Sequence, residues 1–174
     1  MRTRLVEHAD ASALLAIYNP EVIETTVTFD VIPRTMDEQL EWIDSHLGAH
    51  LAIVAVSDDG DEEIGHLGAR GERIVGYACF GPYRSRAAYA TTAEDSVYVD
   101  RSARGRGVGR LLLDDLLAAG VEGGFHSVIA RIVGENQASI DLHLACGFEM
   151  VGIEREVGRK HGRWLDVVEL QRLL

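Results

Sequence analysis

Val97-Tyr98-Val99-Asp100-Arg101-Ser102-Ala103-Arg104-Gly105-Arg106-Gly107-Val108-Gly109-Arg110 runs directly into Leu111-Leu112-Leu113-Asp114-Asp115-Leu116-Leu117. The β-prone start reads as a strand and the leucine-rich end as an amphipathic helix. Between them stand three glycines at alternate positions among four arginines. Glycine lets backbone N–H groups approach a ligand that a Cβ would hold off, and a new helix adds unpaired N–H groups and the positive end of its dipole. The stretch therefore reads as strand, anion cradle and helix, suited to a phosphate-bearing ligand; taken alone, such a loop is equally a solvated turn. It is not G-x-x-x-x-G-K-[ST], and no acidic residue closing a second parallel strand supports a dinucleotide fold.

Around this stretch lies a chain of 174 residues with 47% hydrophobic content, enough for one domain spanning 1–174. No apolar run is long enough to cross a membrane, and the start lacks the basic-then-apolar layout of a signal peptide. Cys79 and Cys146 each sit in an apolar context, which suggests two buried thiols in a reducing cytoplasm rather than a disulfide. A formal charge of −11 argues against a nucleic-acid binder, yet four of the seventeen basic residues fall between Arg101 and Arg110. Local charge opposes global charge there, as a polyanionic ligand requires. Lys160 is the one lysine, a balance that resembles proteins from high-salt cytoplasms or the codon bias of a GC-rich genome.

Taken in order, Thr3 to Val6 reads as a first strand, and Asp10 as the N-cap of a helix carrying Leu14, Leu15, Ile17 and Tyr18 through Asn19-Pro20. Residues 24–34 form a loop or strand-like excursion. Thr35-x-x-Glu38 is a capping box before a second helix that Gly48 would stop. Leu51 to Val56 and Ile74 to Phe80 make a hairpin around a long acidic loop, whose Asp58, Asp59, Asp61 and Glu63 lack the calcium-loop pattern. Then come the central strand from Ala93, the helix, a buried strand Ser127 to Val133, a helix from Asn136 to the C-terminal glycine Gly147, and a final β pair. The order β-α-α-β-β-β-α-β-α-β-β implies an α/β domain with a mixed sheet flanked by helices.

Arg104-x-x-Gly107-x-Gly109 resembles the pyrophosphate loop of the GCN5-related N-acetyltransferases. Ile17-Tyr18-Asn19, Thr28-Phe29, Gly76-Tyr77-Ala78, Asn136-Gln137-Ala138-Ser139, Leu142-His143, Gly147-Phe148 and Lys160-His161-Gly162-Arg163-Trp164-Leu165-Asp166 extend the resemblance over nearly the whole chain. Together they resemble the phosphinothricin and methionine sulfoximine/sulfone branch. The acidic loop is longer than that branch leads one to expect. The resemblance implies the family's sandwich fold, in which the two parallel strands 93–99 and 127–133 splay to admit pantetheine. It implies acetyl-CoA as co-substrate with no metal, a small amino-acid-like amine as acceptor, and a homodimer. Val97, Tyr98, Val99, Arg104, Gly105, Arg106, Gly107, Val108, Gly109, Arg110 and Asn136 would hold the cofactor, with Val97 to Val99 offering N–H groups freed by the splay.

Acetyl transfer to an amine needs a base to take the ammonium proton. The resemblance points to Glu94, in Thr92-Ala93-Glu94, with Asp95 as its rival; successive strand residues face opposite ways, so only one looks into a given cleft. His143 is a candidate acid for the leaving thiolate, or a helix histidine packed on the core. His161 lines the acceptor cleft or stabilises a turn, and Asn136 contacts the cofactor, caps a helix, or both. The segment Tyr83 to Tyr89 should stand over the acetyl group, bringing Arg84, Arg86 and Tyr89 to the acceptor beneath Phe29 as a lid. Alternatives are an acetyltransferase for an antibiotic amine or a protein N-terminus, and a non-catalytic acyl-CoA-binding domain on the same fold.

Overall fold

The computed structural model describes residues 1–57 and 64–174; the four acidic residues weighed for calcium lie outside them. The chain runs β1 (Arg2–Leu5), α1 (Ala11–Glu24), α2 (Met36–Ser45), β2 (Ala52–Ser57), β3 (His66–Leu67), β4 (Arg73–Pro82), β5 (Thr92–Val99), α3 (Val108–Glu122), β6 (Ser127–Val133), α4 (Gln137–Ala145), β7 (Glu149–Lys160) and β8 (Arg163–Leu173). The sheet has the order β1-β2-β4-β5-β6-β8-β7, with β3 paired on β4. Among the described residues only β5 and β6 are parallel neighbours. Two-residue β3 is the one strand that the sequence pattern does not announce, being too short to carry a period.

One face of the sheet packs on α3 and α4 through Ala78, Phe80, Leu112, Leu116, Ile140 and Leu170. The other packs on α1 and α2 through Leu14, Ile17, Val22, Ile43, Val54 and Tyr77. This division follows from strand alternation: Tyr77 and Cys79 face α1, while Ala78 and Phe80 face α3. α1 continues through Pro20 as expected. The capping box before α2 forms as read, with the Thr35 side chain accepting from the Glu38 amide and the Glu38 carboxylate accepting from that of Thr35. α2 ends at Ser45, before Gly48. His161 and Gly162 both have positive φ and close the β7–β8 hairpin in two residues, the geometry that matches strand twist. Both cysteines are buried and free, and among the described residues no helix is long and apolar enough to cross a membrane.

Asp10 departs from its expected role. Its carboxylate does not cap α1; it is fully buried and accepts a forked pair of bonds from Arg4 at 2.7 and 2.9 Å. It also accepts from the amides of Glu7 at 2.9 Å and Ala69 at 2.7 Å. Four donors thus converge on one carboxylate and tie β1, the turn before α1 and the chain beyond β3 together. Burial opposes its charge, but Arg4 and the two amides outweigh this and hold its carboxyl below the usual carboxylate range. A depressed carboxylate contributes stability above its unfolded pKa of about 4 and loses it as pH falls through the lower folded value. Asp10→Ala should therefore cost about 1–3 kcal/mol in urea unfolding at pH 7, because two amides lose their acceptor while Arg4 keeps Glu72. Asp10→Asn should flatten the acid limb of the stability profile; an unchanged limb would contradict this assignment.

Candidate active site

β5 is held against β4 along its length, from Gly76↔Val99 to Pro82↔Ala93, without a bulge. Against β6 it pairs only at Thr92↔Ser127, Ala93↔Val128 and Glu94↔Ile129, and beyond these the two strands part. The direction of each amide follows from antiparallel alternation. The amide of Asp100 donates to the Val75 carbonyl of β4 at 3.0 Å, so Tyr98 and Ser96 also face β4, while Val97 and Val99 face the gap. The expectation of three free amides is corrected: Tyr98 is satisfied by the sheet, and Val97 and Val99 are the two left over.

A groove of about 510 Å³ opens at this gap, walled by β5, β6, α4 and the start of α3. Asp100 accepts from the Ser102 amide at 2.9 Å, turning the chain into the arginine loop. Gly107 stands at the N-cap of α3 with φ of 81° and no side-chain cap, so the first amides of the helix have no partner within it. A Cβ on Gly105 or Gly107 would meet no atom within 4 Å; one on Gly109 would come within 3.1 Å of Leu142. The first two glycines thus leave open space where an anion can reach the backbone, whereas Gly109 lets α3 lie close to α4. This is a cradle that fits a pyrophosphate.

The arginines of the loop are less free than their number suggests. Arg101 and Arg104 both bind the buried Glu21 of α1, each at 2.9 Å, and Arg101 also binds Glu24 at 2.6 Å. Arg110 binds Asp114 at 2.6 Å, one turn along α3. Arg106 has no such partner among the described residues but does not line the groove. Arg104, Gly105, Gly107, Val108, Gly109 and Arg110 line it, as do Val97, Tyr98 and Val99. Asn136 lines it while accepting from the Ser139 amide at the start of α4.

Glu94 and Asp95 separate as alternation requires. Asp95 lies on the groove side and is buried, with Oδ2 2.9 Å from His143 Nε2 and Oδ1 lacking a partner among the described residues. His143 Nδ1 is 2.7 Å from the Ser139 carbonyl, so that nitrogen carries a proton and donates it. Burial works against a charged ring, yet the bond to Asp95 holds the His143 pKa above its ordinary value. With both nitrogens engaged by the protein, the ring ties α4 to β5.

Glu94 lies on the opposite face, in a second cavity of about 300 Å³. Burial raises its pKa, with Arg131 acting in the other direction and Asp95 adding to the rise. Tyr18, Trp42, Tyr77 and Tyr98 wall this cavity, and Arg34, Asp30 and Phe29 border it. The two cavities share Val27, Ser96, Tyr98 and Arg131 and so meet at the parting of β5 and β6. Phe29 is 43% exposed and lies on Gly158 of β7 so closely that a Cβ there would sit 2.3 Å from its ring.

The structure does not bring the other expected acceptor residues to either cavity. Arg84 lies over the Tyr83 ring at 4.9 Å and the Tyr89 ring at 5.8 Å, making a surface cluster beyond the end of β4, and Arg86 is exposed beside it. None of residues 83–89 lines either cavity within the single chain, and Tyr83 Oη reaches Glu169 Oε1 of β8 at 3.5 Å. His161 sits in the hairpin turn with Nε2 3.2 Å from the Thr25 carbonyl. Sequence reasoning missed Arg34, Trp42, Glu21 and Arg131, each brought in from an element remote in sequence. Among the described residues no cluster of three or more His, Cys, Asp or Glu side chains could hold a metal ion.

Comparison with known proteins matches this geometry. The family model described as Acetyltransferase (GNAT) family matches residues 14–148. A phosphinothricin N-acetyltransferase of Streptomyces coelicolor is 41% identical over 165 residues, which cover 95% of this chain and 91% of that protein. Among solved structures, a ribosomal-protein-alanine N-acetyltransferase from Brucella melitensis is similar with a TM-score of 0.90 and 35% identity, covering 100% of both chains. A phosphinothricin acetyltransferase from Sinorhizobium meliloti, solved in complex with AcCoA, is similar with a TM-score of 0.88 and 34% identity, covering 99% of this chain and 87% of that one. A splayed pair of parallel strands, a glycine cradle at a helix start and these likenesses lead to one conclusion: the chain belongs to the Acetyltransferase (GNAT) family and is an N-acetyltransferase that uses acetyl-CoA.

Proposed function

We propose that the chain acetylates the amino group of a small amino-acid analogue of the phosphinothricin, methionine sulfone or methionine sulfoximine type, with Glu94 as the general base. The observation that carries the reading is the meeting of two cavities from opposite faces of the sheet, with Glu94 in the smaller one and free strand amides in the larger. The larger groove suits acetyl-CoA, which supplies an activated acetyl thioester. The amides at the start of α3 and the open backbone at Gly105 and Gly107 bind its pyrophosphate. Val97 and Val99 offer N–H groups to the pantetheine arm and to the acetyl oxygen, where negative charge develops.

The acceptor lies in the smaller cavity, against aromatic walls that cover its aliphatic part. Glu94 takes the proton that an ammonium must lose before its nitrogen can attack. Its raised pKa, caused mainly by burial, makes it a stronger base than an exposed carboxylate. His143 holds α4 against β5 and so keeps the groove wall in place, rather than giving a proton to the leaving thiolate. A homodimer belongs to the same reading. The edge strand β7 exposes Met150, Val151 and Ile153, and β8 exposes Trp164, an apolar face that a second copy would cover. The two buried free thiols suit a reducing cytoplasm.

Thiol release should be seen with methionine sulfone, methionine sulfoximine or phosphinothricin and not with spermidine, an aminoglycoside or an alanine-initiated peptide. Turnover confined to the latter three would reject the acceptor class. Glu94→Gln should lower kcat by about 10²–10⁴-fold with the Kd for acetyl-CoA unchanged. In the wild type, kcat/KM should fall as pH drops through the raised Glu94 pKa, and this limb should vanish in the variant. A full limb in Glu94→Gln would assign the base elsewhere.

A further inference from the structure

Two guanidinium groups border the acceptor cavity, and they differ in what already holds them. Arg131 is bound by the carboxylate of Glu154. Among the described residues Arg34 makes only a long ion pair with a carboxylate. That carboxylate, Asp30, is 3.9 Å away and is engaged at 2.5 Å by the Tyr18 hydroxyl, and the other polar neighbour of Arg34 is Gln39 Oε1 at 3.4 Å.

Arg34 is nevertheless firmly placed. The Asn19 carboxamide donates to the Arg34 carbonyl at 2.9 Å and accepts from the Arg34 amide at 3.0 Å, so α1 fixes its backbone from both sides. Its guanidinium carbon lies 4.2 Å above the centre of the Tyr18 ring and 5.3 Å from that of Trp42. Those rings belong to a continuous set in which Trp42 meets Tyr77, Tyr77 stacks on Tyr98, and Tyr98 meets Tyr18 edge-on, at centroid distances of 5.0 to 5.7 Å. The aromatic faces cover the flat sides of the guanidinium and leave its edge donors short of acceptors. A planar fork held in this way loses little freedom when it binds a carboxylate or phosphinate, and in a half-buried cavity each bond it makes is charge-assisted.

We propose that Arg34 anchors an oxyanion of the acceptor, its α-carboxylate or its side-chain phosphinate, and so selects amino-acid analogues over plain amines. This rests on the acceptor assignment above. A carboxylate base and a guanidinium with only long contacts to Asp30 and Gln39, in one 300 Å³ cavity, match a substrate that carries both an ammonium and an anion. Plain amines and polyamines offer nothing to Arg34 and would leave it desolvated with only its long contacts to Asp30 and Gln39, which costs affinity.

The test uses Arg34→Gln and Arg34→Lys with four acceptors: methionine sulfone, its decarboxylated amine, phosphinothricin, and the decarboxylated phosphinate amine. Both variants should bind acetyl-CoA with wild-type Kd, which shows that the fold survives. KM should rise by about 10–100-fold for acceptors that carry the anchored anion, with kcat changed less, and should hardly change for the sulfone amine that has none. Loss with both carboxylates but not the phosphinate amine identifies the carboxylate as the anchored group; loss with the phosphinate amine identifies the phosphinate. Thermal stabilisation by the unreacted acceptor in the presence of CoA should fall in parallel. Equal losses for all four acceptors, unchanged KM throughout, or loss of acetyl-CoA binding in both variants would overturn the role of Arg34. Absence of turnover and of thermal shift with all four in the wild type would overturn the acceptor assignment itself, and Arg34 with it.

Discussion

The site depends on one failure of strand pairing. β5 is hydrogen-bonded to β4 throughout, and β6 to β8 from Ser127↔Leu173 to Val133↔Val167, so each strand is fully held on its outer side. On the inner side the two share three residue pairs and then part. Val97 and Val99 are half-buried and line the groove, so their amides face a space that a ligand can fill. The gap is kept from closing by side chains rather than by backbone: Val97, Val99 and Leu142 pack against the core below it, and the His143–Asp95 contact holds α4 at its edge.

Strand alternation then separates the chemistry. With no bulge in β5, odd residues from Asp95 to Val99 serve the groove and even residues from Glu94 to Tyr98 serve the opposite cavity. A thioester and an amine can approach from opposite faces and meet where Ser96 and Tyr98 border both spaces. Charge is arranged with similar economy. In a chain of net charge −11, Glu21 and Asp114 engage three of the four arginines flanking the cradle, which leaves its backbone amides as the donors without a protein partner there. Lys160, the only lysine, is buried and donates to the Thr28 carbonyl at 2.7 Å, fixing the segment that carries Phe29 and Asp30.

Much of this was legible in the sequence because it is local. The strand, cradle and helix from Val97 to Leu117 lie in one continuous stretch, and the capping box at Thr35 needs only neighbours. Parity along β5 also separates Glu94 from Asp95 before any coordinates are known. What could not be read is what depends on distant partners. Asp10 has the spacing of a helix cap but binds Arg4 and the Ala69 amide instead, because a buried guanidinium competes better for a carboxylate than a helix amide does. Arg34 follows a proline in a loop of irregular backbone, and nothing beside it announces that Asn19, Tyr18 and Trp42 will converge on it. Arg84, Arg86 and Tyr89 are near in sequence to the strand bearing Glu94, yet within the single chain they do not line its cavity.

The central claim is that the parting of β5 and β6 leaves two specific amides for the cofactor. Hydrogen exchange followed residue by residue in NMR spectra, with and without acetyl-CoA, tests it directly. In the free protein the Tyr98 amide should exchange slowly and those of Val97 and Val99 quickly, and saturating acetyl-CoA should slow Val97 and Val99 by at least about tenfold, consistent with newly made hydrogen bonds. Val97 and Val99 amides that are already protected in the free protein, or that remain fast in the complex, would contradict the account.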